Sequence, residues 1–439
     1  MLKLFVPKDA AALSVGAEQV AAMIAAEIRT RGMACDIVRT GSRGLFWLEP
    51  MVEVATPTGR VAYGPVKSAD VPGLIEAIMS GDSGHRLCLG PVEAISYLAR
   101  QERLTFARVG VIDPASVQDY IAHGGYTGLE KALRLKPSEI VDEVTKSGLR
   151  GRGGAGFPTG IKWKTVLGAS ADQKYIVCNA DEGDSGTYAD RMIMEGDPLI
   201  LVEGMTIAGL AVGATIGYIY IRSEYPHAYR AFQTAVDAAR AAGYLGNSVA
   251  GSGKAFDIIV RLGAGAYVCG EETALLESLE GRRGIVRAKP PLPALKGLFG
   301  EPTVINNVLS LAAVPHILAD GWKSYADFGM GRSRGTLPFQ LAGNLKFAGL
   351  VEKAFGLTLN EAIYDFGGGT RSGRPVRAVQ VGGPLGAYFP ASLLDTPLDY
   401  EAMAAKKGML GHGGIVVFDD TVDLAAQARF AFEFCAKES

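Results

Sequence analysis

Cysteine is scarce in this chain of 439 residues. There are five (Cys35, Cys88, Cys178, Cys269, Cys435), scattered, with no two in a CxxC spacing. A secreted disulfide scaffold is short and cysteine-dense, so this usage points to a reducing compartment, and the cytoplasm is the expected location. Met1–Lys8 lacks the basic-then-apolar plan of a secretory signal. Net charge is nearly absent as well: 44 Lys+Arg stand against 46 Asp+Glu, a formal balance of -2. Such a chain has no electrostatic footprint for nucleic acid or an anionic membrane surface. One stretch, Leu199 to Ile221, is apolar enough to raise the question of membrane insertion. It holds Glu203 and several glycines, and Asp197-Pro198 ahead of it reads as an N-cap with Pro at the first helical position. A buried helix followed by a buried strand from Gly217 to Arg222 is the expectation, with no membrane insertion.

Glycine is in surplus: 57 residues, nearly twice the usual share of about 7%. Many glycines mean many tight turns, where backbone can approach a phosphate or a flat cofactor. Length predicts two to four domains at about 100–200 residues each. Residues 1–80 read as a small α/β unit, with strands Leu2–Val6 and Cys35–Arg39, a helix Ala17–Arg29, a hairpin around Pro57-Thr58-Gly59 and a helix Val71–Met79. Residues 81–94, opening on Ser80-Gly-Asp-Ser-Gly84, read as a linker. Residues 95–335 alternate helices with strands at Tyr175–Asn179, Tyr218–Arg222 and Phe256–Arg261, the pattern of a parallel layered α/β sheet. A third unit, 336–410, has short strands (Phe339–Ala342, Val376–Val381) and one helix near Leu359–Tyr364. Residues 411–439 end in helical periodicity.

Three segments carry the chemistry. From Gly148 to Gly160 there are six glycines in thirteen residues, with Arg150, Arg152 and Lys162 adding positive charge and Phe157 and Trp163 interleaved. Free N–H groups converging on an anion suit a phosphate-and-ring cradle. Gly151, Gly153 and Gly156 satisfy GxGxxG, but a dinucleotide turn needs a strand just before it, whereas Glu139–Ser147 reads as a helix. Next, Asp181, Glu182 and Asp184 cluster at the carboxyl end of a strand, where open α/β sheets bind ligands. A calcium loop is excluded, since Gly183 and Met192 occupy its third and twelfth positions; a solvated acidic turn remains an alternative. Third, Gly263–Leu275 runs from a strand into a helix whose first turn would hold Glu271 and Glu272. The helix dipole alone explains acids there, by about 0.3–1 kcal/mol, while a glutamate at such a turn can also accept ribose hydroxyls and repel a 2′-phosphate, selecting NAD over NADP. Lys289 sits on a stiff Pro-rich segment that either reaches a pyrophosphate or forms a surface loop. Asn306-Asn307 suit ring carbonyls, phosphate, or ordinary turns and caps. The histidines (85, 123, 227, 316, 412) read as surface or packing positions, and no residue need act as a nucleophile.

Together and in order, GRGGAGFPTGIKW, CNADEGDSGTYADR, GAYVCGEETALLESLEG, KPPLPALKGLFGEPTVINNV and MLGHGGIVVFDD resemble the family of NADH-binding flavoprotein (51 kDa-type) subunits of complex I, which also includes diaphorase subunits of NAD-reducing hydrogenases and of molybdenum formate dehydrogenases. The resemblance covers roughly Val92 to Ser439. It implies a Rossmann-like FMN/NAD-binding α/β domain, a β-grasp (SLBB-type) domain and the start of a C-terminal helical domain. It further implies FMN bound by Gly151, Arg152, Gly153 and Gly154, by Lys162, by Asn179, Asp181 and Glu182, by Tyr267, Gly270, Glu271 and Glu272, and by Asn306 and Asn307. NAD(H) is implied beside Phe157, Lys162, Glu182, Asp184, Glu272 and Lys289, with Glu182 and Asp184 nearest the nicotinamide. The family's [4Fe-4S] motif follows the equivalent of Ser439, so its ligands are expected beyond a shortened chain and no metal is expected within it. Thr165 and Leu292 stand where complex I subunits commonly have phenylalanines, and Asp184 replaces a longer glutamate.

The first unit resembles the thioredoxin-like [2Fe-2S] ferredoxins, with all four ligand positions lost to Pro7, Ala12, Ser42 and Phe46, none of which ligates iron as a thiolate does. A cluster-free domain of this kind, fused ahead of the flavin module, resembles the β subunit of NAD-dependent formate dehydrogenase. That implies a thioredoxin-like [2Fe-2S] γ subunit and a molybdenum-containing α subunit as partners, with formate bound elsewhere. A hydrogenase diaphorase or complex I subunit is the alternative with the same chemistry, and a non-redox nucleotide-binding scaffold the alternative without it.

Overall fold

In the computed structural model, which describes residues 2–438, the chain forms three large sheets and one small hairpin. The first sheet joins β1 (Leu2–Pro7), β2 (Cys35–Thr40), the hairpin β3 (Val52–Thr56) and β4 (Gly59–Tyr63), and β5 (Cys88–Pro91), in the order β2-β1-β3-β4-β5. β1 and β2 run parallel, connected through the helix Ala17–Thr30, whose Val20, Ile24 and Ile28 bury against Leu4 and Val6. β3 and β4 are antiparallel, and the helix Val71–Ser80 follows. This is the expected thioredoxin-like arrangement. The supposed linker 81–94 is not merely a linker, because Cys88–Pro91 pairs with β4 as an edge strand.

The positions that the resemblance assigns to cluster ligands are packed. Pro7 is buried and Ala12 fully so, Ser42 donates its hydroxyl to buried Glu49, and Phe46 meets Tyr188 of the next unit edge-on at 5.0 Å. This face docks closely: a Cβ on Gly41 would come within 2.6 Å of Gly196 Cα. Across the same seam Glu195 accepts a 2.6 Å hydrogen bond from the Ala10 backbone N–H.

The second sheet contains β6 (Tyr175–Ala180), β7 (Ile216–Ile221), β8 (Asp257–Leu262) and β9 (Thr303–Asn307), all parallel, in the order β8-β7-β6-β9. Helices Pro198–Val212, Pro226–Ala241 and Glu272–Leu279 lie on its connections. The chain steps outward from β6 through β7 to β8, then returns to the other side of β6. That reversal opens a crevice at the carboxyl ends of β6 and β9. The helix Pro198–Val212 is buried at all fifteen residues, which is why its sequence is apolar all round. Glu203 survives there because it accepts hydrogen bonds from the Tyr126 and Leu129 backbone and the Tyr120 hydroxyl. None of the described helices is long and apolar enough to cross a membrane.

A short hairpin of β10 (Gly329–Met330) and β11 (Ser333–Arg334) leads into the third sheet. It contains β12 (Thr336–Gly343), β13 (Gly349–Ala354), β14 (Val376–Val381), β15 (Ala387–Pro390) and β16 (Gly414–Asp419), in the order β13-β12-β16-β14-β15. The one parallel pair, β12 with β16, gives the β-grasp topology. β16 lies at the centre of the sheet, so the unit does not stop at residue 410 as expected. Its apolar run Ile415–Phe418 needs both neighbours to be buried. Helix Leu424–Glu438 follows and buries no residue fully.

Candidate functional site

The glycine loop reaches the crevice from below. Helix Pro137–Lys146 ends before it and helix Thr159–Gly168 begins after it. Between them the chain closes on itself: the Gly151 N–H donates to the Phe157 carbonyl and the Thr159 N–H to the Leu149 carbonyl. The loop thus precedes a helix without following a strand, as the sequence indicated. Opposite it, the turn after β6 is fixed by Asn179, which accepts from the Asp181 N–H and donates to the Gly270 carbonyl at 2.7 Å. Gly183 is required where it sits, since a Cβ there would lie 2.5 Å from the Tyr267 ring.

These segments enclose one continuous cleft in two parts of about 500 and 530 Å³, each in the range of small-molecule sites. Gly153, Ala155, Asn179, Gly270, Glu271 and Asn307 line both parts. The first part is acidic, with Asp181, Glu182, Asp184 and Asp190 beside Tyr267. The second carries Lys162, Glu272 and Lys289 with an apolar rim of Phe157, Ile161 and Leu292, each about half exposed. Every residue the sequence singled out for FMN or NAD lines this cleft except Arg152. Its guanidinium is buried away from the cleft, donating to the Arg150 and Arg334 carbonyls and the Tyr325 hydroxyl, over the Phe355 ring. Trp163 likewise belongs to the core and donates to Asn306 Oδ1 at 2.8 Å.

The charges are arranged in two groups. On the second side, Lys289 meets Glu272 at 2.7 Å and Glu271 at 3.1 Å, and Lys162 meets Glu272 at 3.4 Å and the Ile305 carbonyl at 2.9 Å. Burial disfavours the charge on Glu272, yet Lys162 and Lys289 outweigh it and hold its carboxyl below the usual range. Glu271 is not in the first helical turn as expected. It is the N-cap, accepting from the Thr273 and Ala274 N–H groups, the capping role its position favours. On the acidic side, burial pushes Asp181 up to about 7, and its Oδ2 is buried with no partner. Asp184 is raised by burial while accepting from the Tyr267 hydroxyl at 2.6 Å.

Glu182 and Asp190 lie deeper. Glu182 accepts from the Asp190 and Arg191 N–H groups and the Tyr225 hydroxyl, capping helix Ala189–Gly196. Asp190 accepts from Asn307 Nδ2 at 2.7 Å. Between the two carboxylates stands the ring of His412, with Nε2 3.2 Å from Glu182 and 3.1 Å from Asp190 and Nδ1 2.6 Å from the Arg152 carbonyl. His412 is therefore not an ordinary packing residue. Its sequence signal was the GHGG loop inside a recognised motif, but its partners lie 222 and 230 residues away in the chain (412 − 190 and 412 − 182). Asn306 and Asn307 proved to be on a strand; Asn306 spends its Oδ1 on Trp163, while Asn307 spends both amide atoms, Oδ1 capping the next helix and Nδ2 donating to Asp190.

The residues fit a flat phosphorylated cofactor. An unpartnered buried acceptor, Asp181 Oδ2, calls for a hydroxyl donor, and the glycine loop with Lys162 calls for an anion.

Comparison with known proteins gives the following likenesses. The Nuo51 FMN-binding domain family matches residues 144–316. The chain is 49% identical over 340 residues to the NADP-reducing hydrogenase subunit HndC of Solidesulfovibrio fructosivorans, covering 77% of this chain and 69% of that one. It is 45% identical over 339 residues to the NADH-quinone oxidoreductase F 2 subunit of Rhizobium meliloti (strain 1021), covering 77% and 80%. A crystallised NAD+-reducing [NiFe]-hydrogenase in the air-oxidised state matches 100% of this chain and 72% of its own, at TM-score 0.66 and 28% identity.

Proposed function

The chain belongs to the family of 51 kDa-type NADH-binding flavoprotein subunits, and from that membership we propose that it is the diaphorase subunit of a soluble, cytoplasmic NAD-dependent formate dehydrogenase. The family fixes the coarser statement: an NAD-linked oxidoreductase subunit of a multisubunit enzyme, with FMN and NAD as cofactors. Bound FMN supplies exchange between a two-electron hydride carrier and one-electron iron–sulfur wires.

In this reading the chain's own residues position, neutralise and exclude. Gly153 and Gly154 bring backbone N–H groups to the cofactor, Gly151 closes the loop through its bond to Phe157, and Lys162 balances the phosphate. Asp181, with its free Oδ2, takes a hydroxyl. Asn179, Gly270, Asn306 and Asn307 set the width of the slot. Phe157 and the Leu292 rim give NAD(H) an apolar edge, while Glu272, between two lysines, accepts ribose hydroxyls. Asp184, held by Tyr267, faces the nicotinamide side. Electrons would reach the site from a [4Fe-4S] cluster, a [2Fe-2S] γ subunit and a molybdenum α subunit.

What supports the formate reading is the thioredoxin-like unit joined ahead of the flavin module, with Pro7, Ala12, Ser42 and Phe46 where the resemblance places cluster ligands and Phe46 packed on Tyr188. A hydrogenase diaphorase is the second reading. It is favoured by the 49% identical hydrogenase relative and by the [NiFe]-hydrogenase chain that matches this one over its full length. Purifying the native complex through a tag on this chain and supplying formate or hydrogen with NAD+ tests both. NAD+ reduction with formate supports the first reading, reduction with hydrogen supports the second, and reduction with neither refutes both.

A further inference from the structure

His412 joins three parts of the cleft that arrive from three places in the chain. Its Nδ1 donates to the Arg152 carbonyl of the glycine loop, and its Nε2 faces Glu182 of the acidic turn and Asp190 of helix Ala189–Gly196. Its own loop is tied into the third sheet, since Gln340 Nε2 donates to the His412 carbonyl at 2.8 Å. All three side chains are at least nine-tenths buried. Among the described residues neither Glu182 nor Asp190 forms an ion pair with a Lys or Arg. Arg222 reaches the Glu182 backbone carbonyl rather than its carboxylate, and Asn307, which binds Asp190, is neutral. Asp184, on the same turn, is a third carboxyl, raised by burial and accepting from the Tyr267 hydroxyl. Two buried carboxylates are costly unless they meet a cation or take up a proton; burial lifts Asp190 to about 6 while His412 draws it back down, and among the described residues His412 is the cationic side chain within reach of both.

We propose that His412 is a positioning residue of the cleft: as a buried imidazolium it clips the glycine loop to the acidic turn and supplies the counter-charge that keeps Glu182 and Asp190 ionised beside the cofactor. Burial opposes that charge, but Asp190 and Glu182 outweigh it and hold the imidazole well above its usual 6.5. A proton held this way stabilises the fold fully below pH 6.5 and is lost only as pH rises through the raised value. The cofactor-side consequence rests on the FMN reading above; the charge state does not.

The decisive variant is His412→Gln, which keeps a donor and removes the charge. Its two carboxylates must then share a proton, so FMN retention becomes dependent on pH. We expect wild-type FMN affinity to hold or rise between about pH 6 and 8.5 as Asp181 ionises, and the variant to lose about tenfold per pH unit relative to wild type above the pair's new titration point. Adding Asp190→Asn removes one negative charge together with the positive one and returns the profile to the wild-type shape. A merely space-filling histidine would leave the single variant's profile parallel to that of wild type, and that result overturns the proposal. Histidine ¹⁵N NMR of the flavin-free wild-type chain at pH 7.5 provides an independent reading if the variant does not fold. Both His412 ring nitrogens protonated supports the proposal, and a neutral imidazole overturns it whatever FMN does.

Discussion

Asp181→Asn separates what the cleft costs the empty protein from what it gains on binding. The Asp181 carboxyl has one buried oxygen without a partner, and burial lifts it from 3.8 to about 7. The folded chain therefore holds a proton that the unfolded chain releases near pH 4. Its stabilising contribution is complete below that value and drains away as pH rises to about 7. The shift spans about three units at 1.36 kcal/mol each, an upper bound near 4 kcal/mol; partial solvent access brings the expected loss to about 2 kcal/mol. The asparagine variant removes this slope. Without FMN it should melt several degrees above wild type at pH 8 and close to it at pH 4. With FMN the order reverses in affinity. A hydrogen bond to a charged acceptor contributes about 1.5–3 kcal/mol, so the variant should bind FMN roughly 10- to 150-fold more weakly at pH 8. Thermal melts at the two pH values and a fluorescence titration of FMN give both numbers. Equal FMN affinity, or an unchanged melting slope with pH, would refute the assignment of Asp181 as an acceptor waiting for a cofactor hydroxyl.

Glu272→Gln should lower the NADH-to-NADPH ratio of kcat/KM by about tenfold, or 1.4 kcal/mol. It frees Lys162 and Lys289 from their shared carboxylate and leaves two cations to attract a 2′-phosphate; steady-state kinetics with both nucleotides measures the ratio, and no change would remove Glu272 from the ribose contacts. The docking seam of the first unit should loosen as pH rises. Burial raises Glu49 to about 8 and Glu195 to about 7, so their protonated forms stabilise the seam below about pH 4.5 and that contribution is lost through pH 7–8. Glu195→Gln should flatten the dependence, read as hydrogen-exchange protection of residues 2–80 against pH; an unchanged profile would show that these carboxyls do not govern docking.

Much of the site was legible because its chemistry is local in sequence. The glycine loop, the Asp181–Asp184 turn and the Glu271–Glu272 helix start each satisfy backbone demands within a few residues, and those demands select residue types. The buried helix Pro198–Val212 was readable for a similar reason: apolar residues all round it with one N-capped start admit few alternatives. Strand Thr303–Asn307 was missed because it is a short edge strand whose identity comes from pairing with β6, 128 positions earlier (303 − 175). Without it the chain reversal that opens the crevice could not be placed. Arg152 shows the converse error, since a cation among cradle glycines reads as a phosphate ligand until the fold turns its guanidinium toward Tyr325 and Arg334.

Sequence by itself determined the inventory: thiolate ligands absent from positions 7, 12, 42 and 46, a glycine-rich anion loop, and carboxylates at strand and helix ends. Tertiary structure alone decided the pairing of charges. Whether His412 is a surface residue or a buried counter-ion depends on two carboxylates more than 200 residues away, brought within 3.2 Å by β16 taking the centre of the third sheet. Electrostatic energy depends on distance and burial, and neither is written in the order of residues along a chain.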